Sequence, residues 1–418
     1  MTSVKIDLRD KAHFDPLMRA SLDSCVKCTI CETQCPVAAV TPKFPGPKYV
    51  GPQAERFRAG EIVDHTIDYC SSCGTCTLVC PQGVKVAELN NIARAAMKQQ
   101  NGIPLRDKLI TNTMLMGKVM TPVAPVANWA LRNKPIRFMV EKIMKIHRNA
   151  PMPVADGFSF EKWFRKHKKT TKTPVTRGQV VFFHGCAGEY FETTTSIRTV
   201  EILEYLGYDV VVPKHGCCGL AQQSNGLYDG ATKAVTKLAR DLSKPGRDVQ
   251  IIGASGSCIG MLKHEAREIM GVKDETLDDV SQRIWDISEF LLDLYDKGEL
   301  PQLDNLKAVD LKVLYHAPCQ LRGTGIGTPA KQLLDKIPGM TVFESGAVCC
   351  GIAGTYGLKK EKFDVAQAVG KTIRDRSVET KCDMVASDTE TCRWQIAKGT
   401  GKQTVHPVYF LHQALGLS

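Results

Sequence analysis

No stretch of these 418 residues approaches eighteen uncharged apolar positions, so no segment reads as a bilayer-spanning helix. The longest uncharged piece of the basic region, Val119 to Leu131, is short and broken by Pro122 and Pro125. The opening, MTSVKIDLRDKAHFD, lacks a basic stretch followed by an apolar one, so no secretory signal peptide is expected. No GxGxxG fingerprint opens a dinucleotide domain, so the chain is expected to carry no flavin of its own. Aromatic residues make up only 7% of the chain. Few of them lie where positive charge is concentrated, and no readout motif is present, so nucleic acid is not expected as a partner.

Cysteine, by contrast, is abundant, with seventeen in the chain. In a chain with no sign of secretion, that density points away from a disulfide framework and toward metal or redox centres. Charge is concentrated too. Residues 105 to 178 carry sixteen Lys and Arg against four Asp and Glu, a net +12 out of the total of +11. The remainder is therefore close to neutral. A basic block of this kind suits an anionic lipid surface or an acidic partner protein.

The sequence divides into an N-terminal cysteine region (1–104), a basic proline-punctuated connector (105–175) and an internal duplication (176–305 and 306–418). In the first copy the segments QVVFFHGC (179–186), YDVVVPKHGCCG (208–219) and DVQIIGASGSC (248–258) alternate with helix-length stretches. In the second the counterparts are LKVLYHAPC (311–319), MTVFESGAVCCG (340–351) and DMVASDTETC (383–392). This alternation predicts βαβ units and a parallel sheet in each copy. Cysteines stand where strands end, the edge at which open α/β sheets bind ligands. The fold class expected is thus α+β multidomain: a helical ferredoxin-like module, an amphipathic connector and a duplicated α/β domain.

Two runs, CVKCTICETQCP (25–36) and CSSCGTCTLVCP (70–81), share the pattern C-x2-C-x2-C-x3-C-P. This is the spacing of bacterial two-cluster ferredoxins, in which the fourth cysteine of each run serves the other cluster. The expected ligands are Cys25, Cys28, Cys31 and Cys80 for one [4Fe–4S] cluster, and Cys70, Cys73, Cys76 and Cys35 for the second. Pro36 and Pro81 end the local turn, and Gly74 suits the tight loop. Zinc is disfavoured, because it takes CxxC pairs separated by a longer loop. The long gap between the runs, with helical stretches such as VAELNNIARAAMKQQ (86–100), resembles the helical ferredoxin module of respiratory iron–sulfur proteins.

Each C-terminal copy offers a lone Cys, a Cys-Cys-Gly and a later Cys: Cys186, Cys217, Cys218 and Cys258, then Cys319, Cys349, Cys350 and Cys392. The pattern resembles the cysteine-rich CCG domain of heterodisulfide reductases and their relatives. Members of that family often end on CxxC, which supplies a fifth thiolate for a noncubane centre; here Ser255 and Thr389 occupy those places. Four thiolates per copy still suffice for an ordinary cubane, with the second copy the stronger candidate. Cys382 is left over and reads as a structural thiol. His184, His215 and His316 lie beside these cysteines. They can be ligands or proton donors to a quinone, although a lone His near a strand end is more commonly structural.

In the connector, Ile136, Met139, Val140, Ile143 and Met144 share one helical face of 135–148, and Leu105, Leu109, Met114, Leu115 and Val119 form a looser stripe over 105–120. With cationic flanks, such helices suit the membrane interface. The alternative is that both stripes pack on the α/β domain.

The order of these parts, with PGPKYVGPQAERFR (45–58), MLMGKVMTPVAPVANW (114–129) and CCGIAGTYGLKKE (349–361), resembles the iron–sulfur anchor family of anaerobic glycerol-3-phosphate dehydrogenases (their C subunits) over almost the whole chain. The resemblance implies two partners, the A and B subunits, carrying the flavin and the substrate site. It also implies a peripheral position on the cytoplasmic face of the cell membrane and electron relay to menaquinone. Relatives that oxidise glycolate or lactate share the ferredoxin runs and CCG motifs, and a catalytic disulfide reductase is the rival from another class.

Overall fold

The computed structural model describes residues 21–53, 64–170 and 174–417. The chain's opening and the end of the 45–58 motif, from Ala54 on, lie outside these residues.

Strands form where the apolar, β-branched runs were expected. The first sheet contains β1 (Gln179–Phe183), β2 (Asp209–Val211), β3 (Gln250–Gly253) and β4 (Ile284–Asp286), in the order β2-β1-β3-β4. The second contains β5 (Lys312–Tyr315), β6 (Thr341–Glu344), β7 (Met384–Ala386) and β8 (Thr404–Val405), in the order β6-β5-β7-β8. All pairings in both sheets are parallel. Parallel sheets are covered on both faces, which is why QVVFF and KVLY run apolar after one exposed residue. The edge strands β4 and β8 were not anticipated: with three and two residues, they are too short to show a period. Asp286 ends β4 and also caps the helix Ile287–Asp296 through a reciprocal bond with Glu289.

Alternation along the strands decides which cores they join. Val180 and Phe182 of β1 and Val313 and Tyr315 of β5 belong to one core shared by the two sheets, filled from both sides by Ile202, Leu203, Leu291, Leu333 and Phe410. The opposite faces, Val181 and Phe183 on one sheet and Leu314 on the other, pack into separate cores. The duplicated halves are therefore fused, not strung together.

The ferredoxin-like module is fused as well. Its helix Val86–Asn101 is buried from Val86 to Lys98, polar residues included. Leu89, Ile92 and Ala96 join a core with Tyr228 of the first repeat and Cys349, Tyr356 and Val369 of the second. Its buried polar residues each make a bond, although Asn90 Oδ1 is left without one among the described residues. Arg94 donates to Cys70 O and Asn91 Oδ1, both at 2.8 Å. Thr77 donates to Glu88 Oε2 at 2.6 Å.

The connector folds into short helices: Leu105–Ile110, Thr113–Met120, Ala124–Arg132, Lys134–Met144 and Phe160–Thr170. Lys134–Met144 is inverted. Its buried residues are Arg137 and Glu141, while Met139 is 59% and Ile143 is 73% exposed. Arg137 turns inward to donate to the carbonyls of His147, Arg148 and Ala150. Glu141 accepts from Arg148 and is held below the usual carboxylate range mainly by that bond. The looser stripe also points outward, at Leu105, Leu109, Leu115 and Val119. The apolar faces are thus largely uncovered, with Ile136, Val140 and Met144 half-buried. No helix among the described residues is long and apolar enough to cross a membrane.

Candidate iron–sulfur sites

The two ferredoxin runs wind alike. In the first, Lys27 and Thr29 take positive φ, 60° and 68°; in the second, Ser72 and Gly74 do so at 56° and 76°. The reversal after the second cysteine thus falls on Gly74 as expected, but also on Thr29, a residue with a Cβ that rarely adopts it. These reversals curl each loop so that its thiols converge. Cys25, Cys28, Cys31 and Cys80 line one small cavity. Charge on the Cys31 thiol is opposed first by burial, then by Glu32 and by Cys25 and Cys80. Cys35 lies instead with the other run. Burial pushes its thiol up to about 12, with Cys73 and Cys70 close enough to add to the shift. Cys76 is raised by burial and by Cys70, Cys73 and Cys35. The structure therefore groups the eight cysteines with the fourth of each run crossed over. Backbone N–H groups point at several of the sulfurs: Ala38 to Cys35 and Ser72 to Cys70 at 3.5 Å, and Val84 to Cys80 at 3.4 Å. Such bonds stabilise negative sulfur and tune the centre it holds. An all-thiol donor set with a cavity at its middle fits a cluster.

The CCG sets also converge, at the carboxyl ends of the strands. Cys218 Sγ lies 3.3 Å from Cys258 Sγ and Cys217 Sγ lies 4.0 Å from Cys186 Sγ; in the second copy Cys350 Sγ is 3.1 Å from Cys392 Sγ. Gly219 and Gly351 are needed here. Both have positive φ, and a Cβ on either would run into a helix carbonyl, of Ala231 or Ala366. Their N–H groups donate to Cys217 and Cys349 at 3.4 and 3.3 Å. Those two thiols are held well below their ordinary value, first by bonds from Cys186 and Cys319, then by bonds from Cys218 and Cys350. A thiol biased toward thiolate is a ready metal ligand.

All eight CCG cysteines line one largely apolar cavity of about 160 Å³ between the repeats. The connector reaches it: Thr113 donates to Cys186 Sγ at 3.1 Å. The helix carrying Thr113 can lie this close because a Cβ on its Gly117 would strike the Tyr190 ring. Sequence reasoning missed Thr113. A lone threonine in an amphipathic helix gives no signal that it meets a cysteine seventy-three positions on. At the repeat–repeat seam Gly256, next in the chain to Ser255, faces Leu321 and the Thr389 hydroxyl. Ser255 donates to the buried Glu390 at 2.8 Å, and the Thr389 hydroxyl is buried without a partner among the described residues. Cys382 is 1% exposed and donates to Ser377 O, in the same buried cluster as Cys350 and Cys392.

The three histidines share one arrangement. Each uses Nδ1 locally: His184 with Gly185 O at 2.8 Å, His215 with Gly216 O at 2.9 Å, His316 with Ser345 Oγ at 3.0 Å. Each leaves Nε2 buried without a hydrogen bond among the described residues, with Glu161 Oε1 at 3.9 Å from that of His184. Burial holds all three below their usual range, His215 and His316 at about 4. Burial therefore favours the neutral ring in each, which leaves a lone pair on one nitrogen. His316 lies within 4.8 Å of Cys350 and Cys392.

The two groups of sites abut. Cys73 is close enough to Cys349 for their charges to oppose one another, and Cys319 feels Cys73 in turn. Cys35, Cys70, Cys73, Cys319 and Cys349 share one apolar cluster. At the far end Cys28 is exposed.

A 4Fe-4S dicluster domain model matches residues 21–84, and a cysteine-rich (CCG) domain model matches 180–263 and 313–397. The C subunit of the anaerobic glycerol-3-phosphate dehydrogenase of Escherichia coli K12 is 36% identical over 94% of this chain and 99% of its own length. The chain belongs to that C-subunit family. Family membership makes it an iron–sulfur electron-transfer subunit of a multi-subunit oxidoreductase. More distant likeness extends to the D subunit of a dihydromethanophenazine:CoB–CoM heterodisulfide reductase of Methanosarcina acetivorans, 24% identical over 98% of each chain. It also extends to the glycolate oxidase iron–sulfur subunit of E. coli, 23% identical over 96% of this chain and 95% of that one.

Proposed function

We propose that this chain is the relay and membrane-anchoring subunit of an anaerobic glycerol-3-phosphate dehydrogenase, linking the flavin-bearing A and B subunits to menaquinone at the cytoplasmic face of the cell membrane. The observation that carries this reading is the packing of Cys73 and Cys319 against one apolar cluster with Cys349, where the Gly74 loop lies against Gly323. It joins the exposed end at Cys28 to the inter-repeat cavity in one line of thiols.

Cys25, Cys28, Cys31 and Cys80 would hold one [4Fe–4S] cluster, and Cys35, Cys70, Cys73 and Cys76 a second. The second repeat, through Cys319, Cys349, Cys350 and Cys392, is the stronger of the two candidates for a further centre. Clusters supply one-electron chemistry, which a two-electron flavin donor needs to feed a distant acceptor. The chain's own part is to fix their spacing, exclude water and set their surroundings. The disulfide-reductase alternative is disfavoured by Ser255 and Thr389, which fill the seam where a fifth thiol would stand. The test is to reduce the chain anaerobically and add a short-chain naphthoquinone. Oxidation of the chain by the quinone is expected; a chain that stays reduced contradicts the reading.

The exposed apolar faces of the connector support anchoring. Paired Met139→Glu and Ile143→Glu substitutions remove two exposed apolar side chains, so the fold should persist. Affinity for vesicles containing phosphatidylglycerol should fall about 100-fold, each loss being on the order of 1–2 kcal/mol. Co-sedimentation measures this, and unchanged binding would refute anchoring through this face.

A further inference from the structure

Beside the cysteine cavity lies a second opening, a groove of about 970 Å³ between the helices Lys134–Met144 and Glu390–Thr400 and the segment 148–154. At its outer end stand Phe138 and Met139, both part of the exposed apolar face. At its inner end Pro151, Met152 and Trp394 line the groove and the cysteine cavity alike. The Trp394 ring is fixed there: its Nε1 donates to Glu192 Oε1 at 2.9 Å and it stands edge-on to Phe191. The ionisable side chains around the groove, such as Arg132, Arg148 and Lys398, are all cationic.

Pro151, Met152 and Trp394 thus stand between a groove that opens on a surface suited to lipid and a cavity walled by cysteines. An occupant that uses both ends must be apolar along its length and redox-active at one terminus. We propose, building on the relay reading above, that the groove holds the tail of a prenylated quinone, and that Pro151, Met152 and Trp394 form the threshold its ring crosses to reach the cysteine cavity. The ring takes up two electrons, one at a time, from the reduced relay, which the partner dehydrogenase reloads. It takes two protons, drawn from solvent, and leaves as the quinol. The cationic rim holds the mouth against anionic headgroups, so the tail passes from bilayer to groove without crossing bulk water.

The test uses the full cluster-loaded chain on nanodiscs containing phosphatidylglycerol. The probe is a naphthoquinone with a photoreactive group on its prenyl tail, and cross-links are mapped by mass spectrometry. Labelling is expected within 134–154 and 390–398, suppressed by excess unlabelled menaquinone. Met152→Trp, which plugs the threshold, should weaken labelling about tenfold, as loss of one well-made buried contact would, with iron content and unfolding temperature unchanged. Phe138→Ser at the outer end should weaken it too, which keeps the test open if Met152→Trp fails to fold. Label that menaquinone displaces from another part of the chain would overturn the groove while leaving quinone reduction standing. Label displaced equally by phospholipid would make the groove an acyl-chain seat and also overturn it. No saturable label, together with no oxidation of the reduced chain by quinone, would bring down the relay reading itself.

Discussion

In the Cys73→Ala chain, iron content falls by about four per chain and quinone-dependent oxidation of the cluster on the Cys28 side is lost. Cys73 stands among Cys70, Cys76 and Cys35 on one side and Cys349 and Cys319 on the other. Its removal takes away a ligand and cuts the line of thiols at its narrowest point. The effect should exceed the roughly 10–100-fold cost of losing a group that only supports a ligand. The crossed grouping makes the prediction sharper. Cys35→Ala should abolish the same electron paramagnetic resonance signal as Cys73→Ala, although Cys35 belongs to the other run. Cys80→Ala should match Cys28→Ala. If Cys35→Ala instead matched Cys28→Ala, each run would wrap its own cluster and the crossed assignment would be wrong.

The second large effect lies in the charges that clamp the ferredoxin-like module to the second repeat. Lys362 donates to Asp68 O and pairs with Asp68 Oδ2, both at 2.5 Å. Lys98 pairs with Asp68 at 3.1 Å, and Lys359 bonds Asp107 at 2.7 Å and Asn225 at 2.8 Å. The side chains of Lys362 and Lys359 are only 3% and 4% exposed. On the lysines burial wins, holding Lys359 at about 8 and Lys362 at about 7. On Asp68 burial is the largest single influence and opposes ionisation, but Lys362 and Lys98 together outweigh it and keep the carboxyl below its usual range. Asp107→Ala leaves Lys359 and Lys98 with less compensation in a buried site and should cost about 3–5 kcal/mol of stability.

The pH dependence of this clamp has a definite sign. A lysine whose folded pKa lies below its unfolded value binds fewer protons folded than unfolded between the two. Stability then rises with pH across that interval. Raising the pH from about 7 toward 10.5 should therefore stabilise the chain through Lys362 and Lys359. Lys362→Met should flatten that rise. Below about pH 7, where Lys362 is protonated, the same substitution removes a positive charge beside Asp68, two residues before Cys70, and should lower the reduction potential of the centre held there by tens of millivolts, on the order expected from one charge at an effective dielectric near 20. Anaerobic chemical unfolding across pH and a redox titration followed by paramagnetic resonance measure the two effects. A steeper rise with pH in Lys362→Met would contradict the sign.

Much of the fold was legible because its signals are local. Runs such as QVVFF and KVLY mark buried parallel strands, and C-x2-C-x2-C-x3-C-P marks a loop that must curl. What escaped was non-local or too short. The strands IWD and TV cannot carry a period. The stripe through Met139 and Ile143 was readable, but periodicity finds a face without saying whether protein covers it. Only the inward turn of Arg137 and Glu141 decides that it is exposed. The reversal at Thr29 escaped because propensity assigns such positions to glycine, and here the geometry the four thiols require prevails. The abutment of Cys73 with Cys349 joins residues far apart in sequence. It depends on the buried helix Val86–Asn101 docking both repeats, which no spacing reveals.

The most direct measurement is iron and acid-labile sulfide per chain in anaerobically purified protein, with paramagnetic resonance before and after a quinone analogue is added. About twelve irons or more are expected, meaning two ferredoxin-type clusters and at least one centre in the repeats. A signal perturbed by the analogue is expected as well. About eight irons, with signals indifferent to the analogue, would leave the CCG repeats as a scaffold and contradict the line of redox sites running from Cys28 to the inter-repeat cavity.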